Sequence, residues 1–448
     1  MTGVKSRNSA AEGPRPQGKP TQSASAQQAV PDAGHSEKSQ KKRARRRRRG
    51  KAGRGKGVQP AEQNQVLHKV KPSYSHGKAA QASVPPAPPV RPSAPSRPPH
   101  GGSGHHAPDW NRSDLYAALD LGTNNCRLLI ATPTRAGQFR VVDAFSRIVR
   151  LGEGLGATGR LGDNAMDRAV EALKLCHGKL QNRSIRKARL IATEACRSAE
   201  NGVAFLERVK AEAGLDLEIV DRQTEARLAV SGCGTLVDRG TDAVVLFDIG
   251  GGSSEIALID VTRRHSPRLA EHIVAWTSLP VGVVSLAERF GGRDVTAEKF
   301  AAMVDHVSGL LESFGDRGKL GQMVRSPRFH LLGTSGTVTT LAGIHLGLER
   351  YDRRRIDGIW MKDEDVTQMT GKLLSWSFEE RVANACIGAD RADLVLAGCA
   401  ILDAIRKVWP SQKLRVADRG LREGILTELM SRDGVWRNRR FRNGGARH

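Results

Sequence analysis

Apolar and polar positions first fall into a regular order at Leu115. The segment LYAALDLGTNNCRLLIAT runs apolar, breaks at Asp120-Leu121-Gly122-Thr123-Asn124-Asn125, and turns apolar again. Two strands joined by a tight polar turn satisfy that pattern. FRVVDAFSRIV predicts a third strand, so this region opens as a β-meander. After the loop LGEGLGATGRLG, residues Met166, Val170, Leu173 and Leu180 mark one side of a helix predicted from Asn164 to about Leu180. ARLIATEACRSAENG predicts a strand, a polar turn and a helix carrying FLERVKAEAG. A short strand over 217–220 and a short helix in DRQTEARLAVSGCG complete an α/β unit.

The pattern then returns. AVVLFDIGGGSSEIALID, starting at 243, again runs apolar to an aspartate, then through small polar residues into a strand. Asp248 stands where Asp120 stood, 128 residues earlier. Duplication of a hairpin-led α/β unit is the natural reading. Two such halves are expected to face each other across a cleft, with each Asp-x-Gly turn pointing into it. LPVGVVSLAERF predicts a strand feeding a helix with Ser285 in its N-cap region, and 296–314 a further helix. RFHLLGTSGTVTTLAGI predicts a strand, the turn Gly333-Thr334-Ser335-Gly336 and a helix N-terminus. Residues 363–376 and 392–408 are expected to be helical, 414–417 to be a strand, and DRGLREG from Asp418 to open the last helix. The opening hairpin contains no GxGxxG, and no GxxxxGK[ST] occurs in the chain, which argues against a dinucleotide-binding start and a P-loop.

Charge divides the chain unevenly. Lys plus Arg is 71 and Asp plus Glu is 47, a net of +24 over 448 residues. Residues 1–109 hold 21 basic against 5 acidic side chains, a net of +16, and the remaining chain carries 50 against 42. That arm is poor in aromatic and branched apolar residues, so disorder is expected. It contains a basic run from Lys41 to Lys56 and a Pro-rich stretch from Pro85 to Pro99. The run reads either as a polyanion contact, to RNA, DNA, an anionic lipid or polyphosphate, or as a solubilising tail. The expected organisation is therefore an arm over 1–109, a first unit over 110–240, a second over 241–435 and a basic flexible tail over 436–448. The six cysteines have neither CxxC nor metal-ligand spacing, which suits buried thiols in a reducing compartment. No run approaches 18 apolar residues, and no apolar segment follows the first charges. A cytoplasmic protein without a membrane span or secretory leader is expected.

The turns carry the candidate chemistry. Small residues leave backbone N–H groups open, and a row of them makes an anion nest. Gly250, Gly251, Gly252, Ser253 and Ser254 are the strongest candidates, followed by Gly122, Thr123, Asn124 and Asn125. Gly333, Thr334, Ser335 and Gly336 add a helix N-terminus, which also favours anions. Asp120 and Asp248 end apolar strands, where an uncompensated charge is costly. A Mg²⁺ ion bridging phosphate oxygens would account for them, with Glu255 brought alongside by the hairpin. Capping of their own turns is the simpler alternative.

Five segments carry a family resemblance: LDLGTNNCRLLI, IATEACRSAENG, TEARLAV, FDIGGGSSEI and LLGTSGTVTTL. Together they make residues 113–430 resemble the exopolyphosphatase / guanosine pentaphosphatase (Ppx/GppA) phosphatase family, in its short two-domain form. The resemblance implies an α/β fold of duplicated actin-like (ribonuclease H-like) domains flanking a cleft, within the acetate kinase–sugar kinase–heat shock 70–actin superfamily. It implies hydrolysis of the terminal phosphoanhydride of inorganic polyphosphate, with pppGpp as the alternative substrate, Mg²⁺ as cofactor and a homodimer as a common assembly. By position, Glu225 matches the general base and Arg197 an arginine facing phosphate. Asp120, Asp248 and Glu255 fall in the metal and phosphate motifs. GTNN stands where many relatives have GSNS, and Thr224 stands where relatives often have a first glutamate. Rival readings are an ATP-dependent phosphotransferase, a nucleic-acid-binding protein acting through its arm, and a regulator that senses polyphosphate or pppGpp with weak turnover.

Overall fold

The computed structural model describes residues 114–263, 266 and 268–436. The expected disordered arm and the tail beyond 436 lie outside the described residues.

The first half begins with β1 (Leu115–Leu121), β2 (Asn125–Pro133) and β3 (Phe139–Ile148), the meander read from the sequence. A short helix α1 (Leu155–Thr158) leads into α2 (Asp163–Gln181). The inner face of α2 is Ala165, Ala169, Val170, Ala172, Leu173 and Cys176, spaced at three and four residues. Then come β4 (Ile185–Ala192), α3 (Glu194–Ser198), α4 (Gly202–Ala213), β5 (Glu218–Ile219) and α5 (Arg222–Cys233). Asp221 starts α5 as an N-cap, its carboxylate accepting from Thr224 N at 2.7 Å.

The second half repeats the plan with β6 (Ala243–Ile249), β7 (Ser254–Asp260) and β8 (Ile273–Leu279), followed by α6 (Val283–Phe290) and α7 (Ala297–Glu312). Next are β9 (Phe329–Thr334), α8 (Gly336–His345), α9 (Arg353–Ile356), β10 (Trp360–Lys362), α10 (Asp363–Ser375) and α11 (Phe378–Ala383). The chain closes with α12 (Val395–Val408), β11 (Lys413–Ala417) and α13 (Leu421–Arg432). Several elements depart from the expected pattern. The strand expected in LPVGVV lies earlier, as β8, and Ser285 is the third residue of α6, its Oγ accepting from Gly282 N at 3.0 Å. β10 and α11 are too short to leave a periodic signature.

The sheets share one topology. The first has strand order β3-β2-β1-β4-β5 and the second β10-β11-β9-β6-β7-β8. In each, the opening three strands pair antiparallel, and the first strand pairs parallel with the strand after the helices, β1 with β4 and β6 with β9. Read from the meander inward, β8-β7-β6-β9-β11 repeats β3-β2-β1-β4-β5, and β10 is an added edge. The mixed sheets make this an α/β fold.

Two helices interlock the halves. α5 comes from the first half, yet its Ala229, Val230 and Cys233 pack with Val244, Leu246 and Ile259 of the second sheet. α13 ends the chain, yet its Ile425, Leu426 and Met430 pack with Tyr116, Ala118 and Leu129 of the first. The helices touch at glycines: a Cβ on Gly232 would lie 2.0 Å from Gly420 O, and one on Gly424 1.9 Å from Leu228 O. At the rim of the cleft, Arg150 bonds Asp393 through both nitrogens at 2.9 and 3.0 Å, and Gly154 N donates to Glu288 Oε1 at 2.9 Å.

Candidate active site

The β1–β2 and β6–β7 turns meet head to head. Within each, the first glycine closes the turn, Gly122 N on Asn125 O and Gly250 N on Ser253 O, both at 2.9 Å. Later segments then occupy the turn carbonyls: Gly152 N on Thr123 O and Val149 N on Asn124 O at 2.9 Å, Val283 N on Gly250 O at 2.9 Å and Val284 N on Gly251 O at 2.8 Å. The N–H groups of Thr123, Asn124, Gly251 and Gly252 bond no protein acceptor. Carbonyls turned away and amides left open are the arrangement an anion needs. The second turn must be glycine at its tip. A Cβ on Gly251 would stand 2.9 Å from Thr123 Cβ and 3.1 Å from Asn124 N, and one on Gly252 2.9 Å from Thr123 Oγ1.

Both turns open on one cleft of about 520 Å³. Of the residues singled out from the sequence, Asp120, Gly122, Thr123, Asn124 and Asn125 line it from the first half. Asp248, Gly250, Gly251, Gly252, Ser253 and Glu255 line it from the second, with Glu225 on α5. Thr334, Ser335 and Gly336 form its floor beside α8. Ser335 has φ 112°, a conformation rare for a residue with a side chain, and its Oγ is buried without a partner.

Three of the expected residues lie off the cleft lining. Ser254 is fully buried and its Oγ donates to Val281 O at 2.7 Å, so it anchors the second turn from behind. Gly333 faces the core, where a Cβ would stand 2.6 Å from the Phe247 ring. Arg197 does not line the cleft; its guanidinium is bound to Glu194, Glu225 and Val220 O.

Four carboxylates share the centre. Asp248 is pushed up to about 7, by burial first and then by the charges of Glu255 and Asp120. Burial also raises Asp120, opposed by Arg127 and Arg422. Glu255 is raised by burial although Ser253 and Ser278 donate to its Oε1 at 2.7 and 2.9 Å. Glu225 is raised by burial and by Glu255, with Arg197 opposing. No protein hydrogen bond reaches the side chain of Asp120 or Asp248, and the side-chain oxygens of Asn124 and Asn125 are buried without donors. Mutually repelling carboxylates and orphaned oxygens fit a hard, oxygen-seeking cation such as Mg²⁺. Among the described residues no three His, Cys, Asp or Glu form a tight metal cage.

Pattern reasoning missed the cations. Arg127, Arg391 and Arg422 line the cleft with no protein acceptor for their guanidinium groups. Arg127 was findable, since it lies two residues beyond Asn125 on β2 and so shares its face. Arg422 lies in the DRGLREG turn, and Arg391 had no local signal. Glu194, also lining the cleft, stands three residues before Arg197 on α3.

Comparisons with known proteins place the chain in a family. The Ppx/GppA phosphatase family matches residues 130–433, more than half of the chain. The chain is 29% identical over 333 residues to the guanosine-5'-triphosphate,3'-diphosphate pyrophosphatase of Photobacterium profundum, a match spanning 71% of this chain and 60% of that protein. It is 28% identical over 331 residues to exopolyphosphatase 2 of Mycobacterium tuberculosis, covering 70% of this chain and 98% of the relative. A solved exopolyphosphatase-like protein superposes with a TM-score of 0.63 at 27% identity, covering 71% of this chain and 99% of that one. The Aquifex aeolicus PPX-GPPA enzyme superposes with a TM-score of 0.57 at 28% identity, covering 70% and 99%. Two facing turns with open amides and a carboxylate cluster share one cleft. The chain belongs to the Ppx/GppA phosphatase family. No helix among the described residues is long and apolar enough to cross a membrane.

Proposed function

We propose that the protein is a Mg²⁺-dependent exopolyphosphatase that hydrolyses the terminal phosphoanhydride of inorganic polyphosphate and releases orthophosphate. The observation that carries this reading is the convergence of two open-amide turns, unpaired arginines and four carboxylates on one cleft. The turns of Gly122–Asn125 and Gly250–Ser253 hold the terminal and penultimate phosphates. Arg127, Arg391 and Arg422 receive phosphate oxygens further along the cleft. Asp120, Asp248 and Glu255 would hold Mg²⁺, which neutralises phosphate charge when bound. Glu225 takes a proton from water, its raised pKa making it a stronger base than an ordinary glutamate. The water oxygen attacks the terminal phosphorus in line, and the bridging P–O bond breaks with its electron pair leaving on the shortened chain.

Hydrolysis of pppGpp at its 5' end is the second reading, favoured by the likeness to the Photobacterium enzyme. We read the repeated strand order as a duplication of one actin-like unit, and the basic run in the arm as a polyanion contact. One phosphate-release assay with long polyphosphate, short polyphosphate and pppGpp side by side ranks the substrates. Release above background from none of them ends the hydrolase reading. Glu225→Gln is expected to lower turnover by about 10³-fold while binding persists. Unchanged turnover removes Glu225 as the base.

A further inference from the structure

The short helix α3 carries Glu194 and Arg197, three residues apart, and the first turn of α5 carries Arg222 and Glu225, also three apart. The spacing puts each pair on one helical face, with the order of charges reversed. The four side chains form a linked series of alternating sign, Arg222–Glu194–Arg197–Glu225. Arg222 Nη2 donates to Glu194 Oε1 at 2.9 Å, and Arg197 Nη2 to Glu194 Oε2 at 2.5 Å. Arg197 Nη1 and Nη2 both donate to Glu225 Oε2 at 3.1 Å, which brings the series back to α5.

Donor accounting decides what Arg197 can do. A guanidinium has five N–H donors. Arg197 makes five bonds: Nε and Nη2 to Glu194 at 3.1 and 2.5 Å, Nη1 to Val220 O at 2.6 Å, and Nη1 and Nη2 to Glu225 at 3.1 Å. None is left for a phosphate, and the side chain does not line the cleft. Glu225 does line it, and its Oε1 accepts no bond from the chain. One carboxylate oxygen is therefore gripped and the other is left to take a proton. Glu194 is saturated in turn, by both arginines and by Ser198 Oγ at 2.6 Å. Burial would raise its pKa, but the bonds from Arg222, Ser198 and Arg197 hold it below the usual carboxylate range. It stays charged, so it keeps its hold on Arg197.

We propose that Arg197 serves the reaction as a positioning residue for Glu225 rather than as a phosphate ligand, and that Glu194 and Arg222 lock it in that role. This rests on Glu225 being the base. The resemblance alone places Arg197 against phosphate, and the bonding here reassigns it. The arrangement also explains why an arginine is needed: its planar fork spans two carboxylates at once, which a lysine ammonium does not.

The test is a double-mutant cycle in the full chain, reading kcat and KM for phosphate release from one defined short polyphosphate. Arg197→Ala should lower kcat by about 10²-fold with KM within about threefold of wild type. In the Glu225→Gln background the same change should lower kcat no further, because its effect passes through the missing carboxylate. Arg197→Lys, which keeps the charge if the alanine variant folds poorly, should recover less than a tenth of the lost kcat. Glu194→Gln should lower kcat by about tenfold, again with little change in KM. A KM rise of tenfold or more in Arg197→Ala, or a multiplicative kcat loss in the double variant, returns Arg197 to the phosphate and overturns the proposal. Wild-type kinetics in Glu194→Gln overturns the role given to Glu194 and Arg222. If Glu225→Gln alone keeps full turnover, the base assignment itself fails, an outcome distinct from the others.

Discussion

The two Asp-led hairpins have turns of the same length and the same pairing around them, but opposite charge at one position. Across β1–β2, Asp120 pairs with Arg127; across β6–β7, Asp248 pairs with Glu255. Direct cross-strand partners share a face. The first hairpin thus carries a compensated pair and the second a repelling one. Burial raises both aspartates, but Arg127 opposes it at Asp120, whereas Glu255 adds to it at Asp248 and brings that group to about 7. A repeated strand geometry thus carries two different charge pairs. On the proposed function, the first hairpin receives an anion on its own and the second takes a cation before it faces one.

Exchanging the charges breaks the comparison most severely. Glu255→Arg gives the second hairpin the pair of the first and removes a carboxylate that Ser253 and Ser278 orient. Turnover should fall by about 10³-fold and stop responding to added Mg²⁺. A preserved magnesium dependence in a phosphate-release titration would show that the cation sits elsewhere. The reciprocal change, Arg127→Glu, adds a fifth carboxylate and removes an unpaired guanidinium. Here KM for polyphosphate should rise about 10- to 100-fold, more than kcat falls. Equal KM values would place phosphate away from β2.

This division was half legible in the sequence. Seven residues separate Asp120 from Arg127 and Asp248 from Glu255, so both pairings follow once the hairpins are recognised. Glu255 is legible as a carboxylate that the hairpin brings to Asp248, whereas Arg127 lies outside the glycine turn and carries no turn signal. Of the four residues of the third turn three line the cleft, and Gly333 does not, since it pairs with Phe247 across β6 and β9, strands far apart in the sequence. The exchange of α5 and α13 between the halves had no local signature. Each helix is patterned for burial, and the pattern does not say against which sheet. Arg391, brought in from the segment before α12, is invisible for the same reason.

Side-chain volume is divided between the turns as well. Thr123 in the first corresponds to Gly251 in the second, and the threonine fills the space the glycine leaves. Gly251→Ala should push the turns apart, costing about 1–3 kcal/mol of stability and about tenfold in turnover. Adding Thr123→Gly should recover part of both, read by urea unfolding and phosphate release on the single and double variants. Losses that simply add would mean the turns do not pack on one another in solution.

The smallest effect sharpens the comparison away from the cleft. Asp120 aligns with Ile191 on β4 and Asp248 with Thr334 on β9, so four residues earlier Lys187 corresponds to His330. Lys187 is exposed and bonds Asp433 at 2.6 Å, whereas His330 is 1% exposed, with Nε2 unpartnered and the Trp360 ring edge-on at 4.9 Å. Burial, with Lys413 and Arg415 nearby, lowers the His330 pKa to about 3. An unfolded histidine titrates near 6.5, so between those values the unfolded chain binds a proton that the folded one refuses. Stability from this group is intact above pH 6.5 and is lost as pH falls, by about 2 kcal/mol at pH 5. His330→Leu should remove that slope. Urea midpoints of wild type and variant, compared at pH 7 and pH 5, should diverge from each other by that amount. Parallel pH dependences would show that His330 can be protonated in place and that this strand tolerates a charge as its counterpart in the first sheet does.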